Sequence, residues 1–153
     1  MIIWIASYPK SGNTWVRSFL SSYIYSDDKE FKFQMLKKIT QFPSVKHYKK
    51  IGQDPKNLLE AAQSWISTQE MINFSNDIVF LKTHNAMCKL ESYPFTNKEN
   101  TLGAIYIVRD PRDILVSYRA HPVAEYNKTN YPKIFNHMTT GKALAYLPDG
   151  EKR

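Results

Sequence analysis

Three short apolar runs, each closing on a polar cluster, limit what this chain can fold into more than any other feature. Ile2-Ile3-Trp4-Ile5-Ala6 leads to Tyr8-Pro9-Lys10-Ser11-Gly12, Ile78-Val79-Phe80-Leu81-Lys82 leads to Thr83-His84, and Ala104-Ile105-Tyr106-Ile107-Val108 leads to Arg109-Asp110-Pro111. Runs this short, rich in β-branched and aromatic residues, read as buried strands. The segments between them carry helical spacing, so the pattern predicts an α/β fold with a parallel sheet and helices on its faces. In such sheets ligands bind beyond the carboxyl ends of the strands, and all three polar clusters are placed there.

The helices follow from local signals. One is expected from about Asn13, where Trp15, Val16, Phe19, Leu20 and Ile24 fall near helical spacing before polar Ser26-Asp27-Asp28. Phe31, Phe33, Met35, Leu36 and Ile39 suggest a short amphipathic helix that Pro43 ends. Asp54-Pro55 supplies a cap and a first-turn proline, and Leu58, Leu59, Ala62, Trp65 and Ile66 carry that helix to about Ile72. Asn85 to Thr101 reads as a loop or short helix. Asp110-Pro111 repeats the start signal ahead of Ile114, Leu115, Val116 and Tyr118. From Pro122 to Arg153 the chain is helical in places and increasingly polar.

With 153 residues and 42% hydrophobic content, residues 1–153 are expected to form one domain with a real core. The 21 Lys and Arg against 14 Asp and Glu give a net charge of +7, which favours an anionic partner without choosing among nucleotide, nucleic acid and acidic surface. One cysteine, Cys88, excludes an internal disulfide and a Cys-rich metal cluster, suits a reducing cytoplasm, and reads as a small hydrophobe. No apolar run reaches membrane-spanning length, and the N-terminal run lacks a basic leader, so neither a signal peptide nor a span is expected. His47, His84, His121 and His137 show no metal-ligand spacing, and no metal is inferred. The aromatics Phe31, Phe33, Phe42, Tyr48 and Trp65 fit a core first and an apolar acceptor site second.

Each polar cluster has a bland and a chemical reading. In Tyr8-Pro9-Lys10-Ser11-Gly12-Asn13-Thr14-Trp15 the bland one is a tight turn into a helix. The chemical one is an anion cradle of backbone N–H groups, reinforced by the charge of Lys10 and the donors of Ser11, Asn13 and Thr14. It is no Walker A loop, because Lys10 precedes Ser11-Gly12. His84 in Lys82-Thr83-His84 is either a hydrogen-bonded structural residue or a base with a pKa near neutrality. Arg109-Asp110-Pro111-Arg112-Asp113 is either a surface salt-bridge network or, with Ser117 two helical turns onward, a phosphate grip.

In that order and at that spacing, these residues closely resemble the sulfotransferases that use 3'-phosphoadenosine 5'-phosphosulfate (PAPS). Tyr8 to Trp15 looks like the family's 5'-phosphosulfate loop, often YPKSGTTW; Lys82-Thr83-His84 looks like its KTH; Tyr106 to Tyr118 looks like YxxRDPRDxxVSY. The resemblance implies a P-loop-type parallel sheet flanked by helices and transfer of a sulfuryl group from PAPS to a hydroxyl or amine. The acceptor would be a small molecule or glycan; neither nucleic acid nor integral membrane association is implied. By carry-over, Lys10 would neutralise the leaving 5'-phosphate, Ser11, Gly12, Asn13 and Thr14 would bind the phosphosulfate, and Trp15 would pack on adenine. Arg109 and Ser117 would hold the 3'-phosphate, His84 would be the general base, Lys82 an auxiliary electrostatic group, and no metal would be needed.

Two departures stand out. Asn13 replaces the commoner threonine, and the sequence stops at Arg153 before the family's Arg-Lys-Gly segment, which implies a C-terminally truncated domain or a minimal relative that binds without turnover. The rival readings are a non-catalytic nucleotide-binding module and a small phosphoryl-transfer kinase. A kinase would need a true Walker A lysine and a Mg²⁺-binding carboxylate, for which Asp110 and Asp113 are the candidates.

Overall fold

The computed structural model describes residues 1–75 and 77–119; the expected C-terminal helical stretches, His121 and His137 lie outside them. The first run forms β1, Ile2–Ser7, and after the turn α1 spans Asn13–Tyr25. A 3-10 helix, Phe33–Lys38, is followed by β2, Thr40–Gln41, and α2, Val45–Lys50. Then come α3, Leu58–Gln63, α4, Trp65–Asn73, and β3, Val79–Thr83. Two short strands, β4 Lys89–Leu90 and β5 Tyr93–Pro94, precede β6, Thr101–Ile107, and α5, Pro111–Arg119.

The α/β class and the parallel sheet are as the apolar runs require. Four strands lie in the order β2-β3-β1-β6, and every pairing in this sheet is parallel. β1 is interior, with Trp4 level with Leu81 and Ala104, and Ile5 level with Lys82 and Ile105. The chain divides into two compact units, Met1–Val108 and a second that begins at Arg109.

The core of the first unit forms on the Trp4 face of the sheet. Ile2, Trp4 and Leu81 meet Phe42, Tyr48, Ala62, Trp65 and Phe95 there. Phe95 is the hub, its ring centroid 5.3 Å from that of Trp4, 5.2 Å from Trp65 and 5.9 Å from Phe42. Complete burial of a side chain such as Phe42 contributes about 1.5–3 kcal/mol. Several polar groups at its margin are paired. Gln69 donates through Nε2 to Phe95 O at 2.6 Å and accepts from Thr96 Oγ1 at 2.6 Å, while Trp4 Nε1 donates to Thr101 Oγ1 at 2.9 Å.

Several local expectations are corrected. Asp54 pairs with Lys56 and does not cap a helix; Asn57 does, its side chain accepting from Glu60 N at 2.9 Å. The helix expected to run unbroken to Ile72 is interrupted at Ser64, which leaves helical backbone angles and whose carbonyl accepts from Thr68 N and Thr68 Oγ1 to start α4. The amphipathic helix expected over 31–39 is a 3-10 helix, and β2 and α2 follow it unforeseen. Arg17 takes the carbonyls of Leu36 and Ile39, acceptors that a continuing α-helix would have used. Phe31 and Phe33 are exposed, whereas Phe42, Tyr48 and Trp65 are core; Cys88, read as a small hydrophobe, is an exposed thiol. The segment 85–101 pairs β4 and β5 as an antiparallel ribbon in place of a loop or helix.

Candidate active site

β1 delivers the chain to the sheet's carboxyl edge at Ser7, and the next residues turn sharply. Lys10 (φ 67°) and Gly12 (φ 101°) are both left-handed, a conformation that costs a non-glycine residue about 1–2 kcal/mol. Strain of this kind persists where the surroundings impose it, commonly at functional sites. A Cβ built on Gly12 would meet no atom within 4 Å, so the space above the turn is open.

The helix that follows carries no side-chain cap and no acidic residue in its first turn. Its first N–H groups have no intrahelical acceptor, and the dipole adds positive potential at the same end. Ser11 is buried, and its Oγ has no hydrogen-bond partner among the described residues. An open turn, an uncapped helix start and an orphaned hydroxyl fit an oxyanion ligand such as the phosphosulfate end of PAPS. Thr14 and Trp15 are exposed, and the Trp15 ring stacks on Phe19 with centroids 6.5 Å apart and planes 9° off parallel.

At the end of β3, His84 is half-buried, with Nδ1 2.7 Å from Ser7 O and 3.4 Å from Ser7 Oγ. Asn13 reaches the same place from α1, donating through Nδ2 to Ile5 O and to Ser7 Oγ, each at 3.1 Å. Burial pushes the His84 pKa down, the bond to the Ser7 carbonyl opposes this, and the charges of Lys82 and Arg17 push it down further. The net effect favours the neutral imidazole. Lys82 donates to Gln41 Oε1 at 3.2 Å, and burial, then Arg17, lower its pKa.

Arg17 and Ser7 belong to this neighbourhood, although sequence reasoning named neither. Arg17 donates through Nη2 to Leu36 O at 2.8 Å and Ile39 O at 2.6 Å, and burial lowers its pKa. An available signal was the spacing of Asn13, Arg17 and Ser21, polar residues at successive helical turns. Ser7 carried no signal, because a serine at a strand end is common and its partner is 77 residues away.

In the second unit Asp110 receives Arg112 N at 2.8 Å, so it caps α5 as its Asp-Pro sequence predicts. Hydrogen bonds from the Arg112 side chain and backbone hold the Asp110 carboxyl at about 2. Arg109 Nε lies 3.8 Å from Asp113 Oδ2, and Ser117, half-buried, lies one further turn along α5 from Asp113. The Arg and Asp side chains at this helix start therefore do form a salt-bridge network.

In the first unit Asn13, at the end of the turn that holds Lys10, Ser11 and Gly12, is thus joined through Ser7 to His84, and the charge of Lys82 acts on that ring. Among the described residues, no group of three or more His, Cys, Asp or Glu could hold a metal ion, and no helix is long and apolar enough to cross a membrane. No curated protein matches this chain. A family model described as a sulfotransferase domain does, over residues 2–145. With nearly the whole sequence matched, the chain belongs to the sulfotransferase family.

Proposed function

We propose that this chain is a single sulfotransferase domain that binds PAPS at the turn Tyr8 to Trp15 and moves its sulfuryl group to a hydroxyl or amine of a small-molecule or glycan acceptor. The observation that carries the reading is the hydrogen-bonded link from His84 through Ser7 and Asn13 to the open turn of Lys10 and Gly12. When bound, PAPS supplies the sulfuryl group and departs as 3'-phosphoadenosine 5'-phosphate (PAP).

The residues divide the work. The backbone of Ser11, Gly12, Asn13 and Thr14, with the Ser11 hydroxyl, orients the phosphosulfate at the α1 N-terminus, and Trp15 offers an exposed ring to the adenine. Lys10 neutralises charge that develops on the departing phosphate, and Lys82 does so nearer the transferring group. His84 accepts the acceptor's proton as its oxygen or nitrogen attacks sulfur in line. By resemblance, Arg109 and Ser117 bind the 3'-phosphate.

The test is competition among adenine nucleotides. PAP should displace a fluorescent PAP analogue at lower concentration than AMP or ATP, because only PAP offers Arg109 and Ser117 a 3'-phosphate. Equal displacement by ATP in the presence of Mg²⁺ would favour the kinase reading. PAP binding with no transfer from PAPS to any of a panel of phenols, alcohols, amines and sugars would favour a binding module.

A further inference from the structure

The amide of Asn13 and the imidazole of His84 both close on Ser7, and the hydrogen-bond chemistry of that residue fixes the direction of every bond in the group. Ile5 O can only accept, so the Asn13 atom 3.1 Å from it must be Nδ2, and the same nitrogen donates to Ser7 Oγ. Ser7 O also can only accept, so at 2.7 Å the His84 Nδ1 must carry a hydrogen. Ser7 Oγ, 3.4 Å from the same nitrogen and already accepting from Asn13, presents a second oxygen to that N–H. The remaining nitrogen of the ring, Nε2, is left with its lone pair.

We propose that Asn13 is a positioning residue, which pins Ser7 so that His84 is held in the Nδ1–H tautomer with Nε2 as the basic nitrogen. This rests on the reading of His84 as the base, and it gives Asn13 a task other than ligand binding by its side chain. The geometry is specific to asparagine. Nδ2 serves two acceptors from one side chain, whereas the threonine usual at this position of the loop motif has a single hydroxyl hydrogen and cannot serve both. Asn13 is buried and is also the first residue of α1, so the start of the helix and the ring orientation of His84 are set by one side chain.

Tautomers are read directly by long-range ¹H–¹⁵N correlation on the ¹⁵N-labelled full chain at about pH 8, where the imidazoles are neutral. A His84→Gln spectrum identifies the His84 signals among the four histidines. The parent should show His84 protonated at Nδ1 alone, and Asn13→Ala and Asn13→Thr should each show a mixture with the Nε2–H form. Ser7→Ala, which keeps the carbonyl but removes the atom Asn13 grips, should do the same and carries the test if the Asn13 variants do not fold. An Nε2–H tautomer in the parent, or an unchanged Nδ1–H tautomer in the folded variants, overturns the proposal. Failure of the base reading is visible separately, as undiminished sulfuryl transfer by His84→Gln, and does not alter the tautomer result.

Discussion

At Lys10 charge and backbone strain coincide in one residue, and two substitutions separate them. Lys10→Ala removes the ammonium and leaves a side chain at φ 67°, whereas Lys10→Gly removes the ammonium and relieves the strain. Both are expected to weaken PAP binding by about 1.5–3 kcal/mol in calorimetry, the worth of a charge-assisted contact. Lys10→Ala keeps the parent's strain and should leave the melting temperature unchanged, whereas Lys10→Gly should raise it, by relief of about 1–2 kcal/mol of left-handed strain less the entropy cost of glycine. Equal PAP affinity in parent and both variants would remove Lys10 from the nucleotide site. The buried histidines make a second residue-level expectation. Burial lowers the pKa of His47 and of His84 from 6.5, with Lys50 adding to the first and Lys82 and Arg17 to the second. Both rings resist protonation when folded and accept it freely when unfolded, so acid favours the unfolded chain. Stability is therefore full above pH 6.5 and falls as the pH drops through the two depressed folded values. Denaturant midpoints measured between about pH 7.5 and 5 should show this decline, and His47→Gln should flatten it. A flat profile in the parent would contradict the depressed pKa of both rings.

Among the elements, α1 departs furthest from what its sequence suggests. Trp15, Phe19 and Ile24 mark a helix correctly, yet they face outward, and the buried positions are Asn13, Ser21 and Ser22. Periodicity reports that a stripe exists and not which stripe is docked. Here the inward side meets the polar carboxyl edge of the sheet and the carbonyls of Leu36 and Ile39, which call for donors. The strands β1, β3 and β6 were legible because each is a contiguous apolar run whose meaning is local. The links among Ser7, Asn13, Arg17 and His84 were not, since they depend on contacts between distant segments. The same local blindness misplaced a helix cap. Asp54 and Asn57 both have capping chemistry, but only Asn57 receives Glu60 N, and its Nδ2 returns a bond to Glu60 Oε1 at 2.6 Å. Asn57→Ala is accordingly expected to lower stability by about 0.5–2 kcal/mol, measured as a fall in denaturant midpoint, while Asp54→Ala leaves the midpoint unchanged. The reverse order would restore the Asp54 cap.

For the molecule as a whole, the aromatic core of the first unit dominates its stability. Trp65→Ala, which empties a buried site against Phe95, should cost about 3–5 kcal/mol and lower the melting temperature accordingly. A loss below 1 kcal/mol, in an intact fold, would mean that Trp65 is not enclosed as described. The position of β1 has a different consequence, for the order of events during synthesis. Its neighbours in the sheet are β3 and β6, and its side chains bond to partners as far on as Thr101, 97 residues later. The uncharged run Ile2 to Ala6 thus leaves the ribosome well ahead of both its sheet partners and waits for most of the first unit before either flank can be covered. Segments with high β-propensity, no charge and no proline are the ones that self-associate while exposed. Refolding should accordingly be slow and limited by concentration, and a charge placed in this run to quiet it would have to be carried into the centre of the finished sheet.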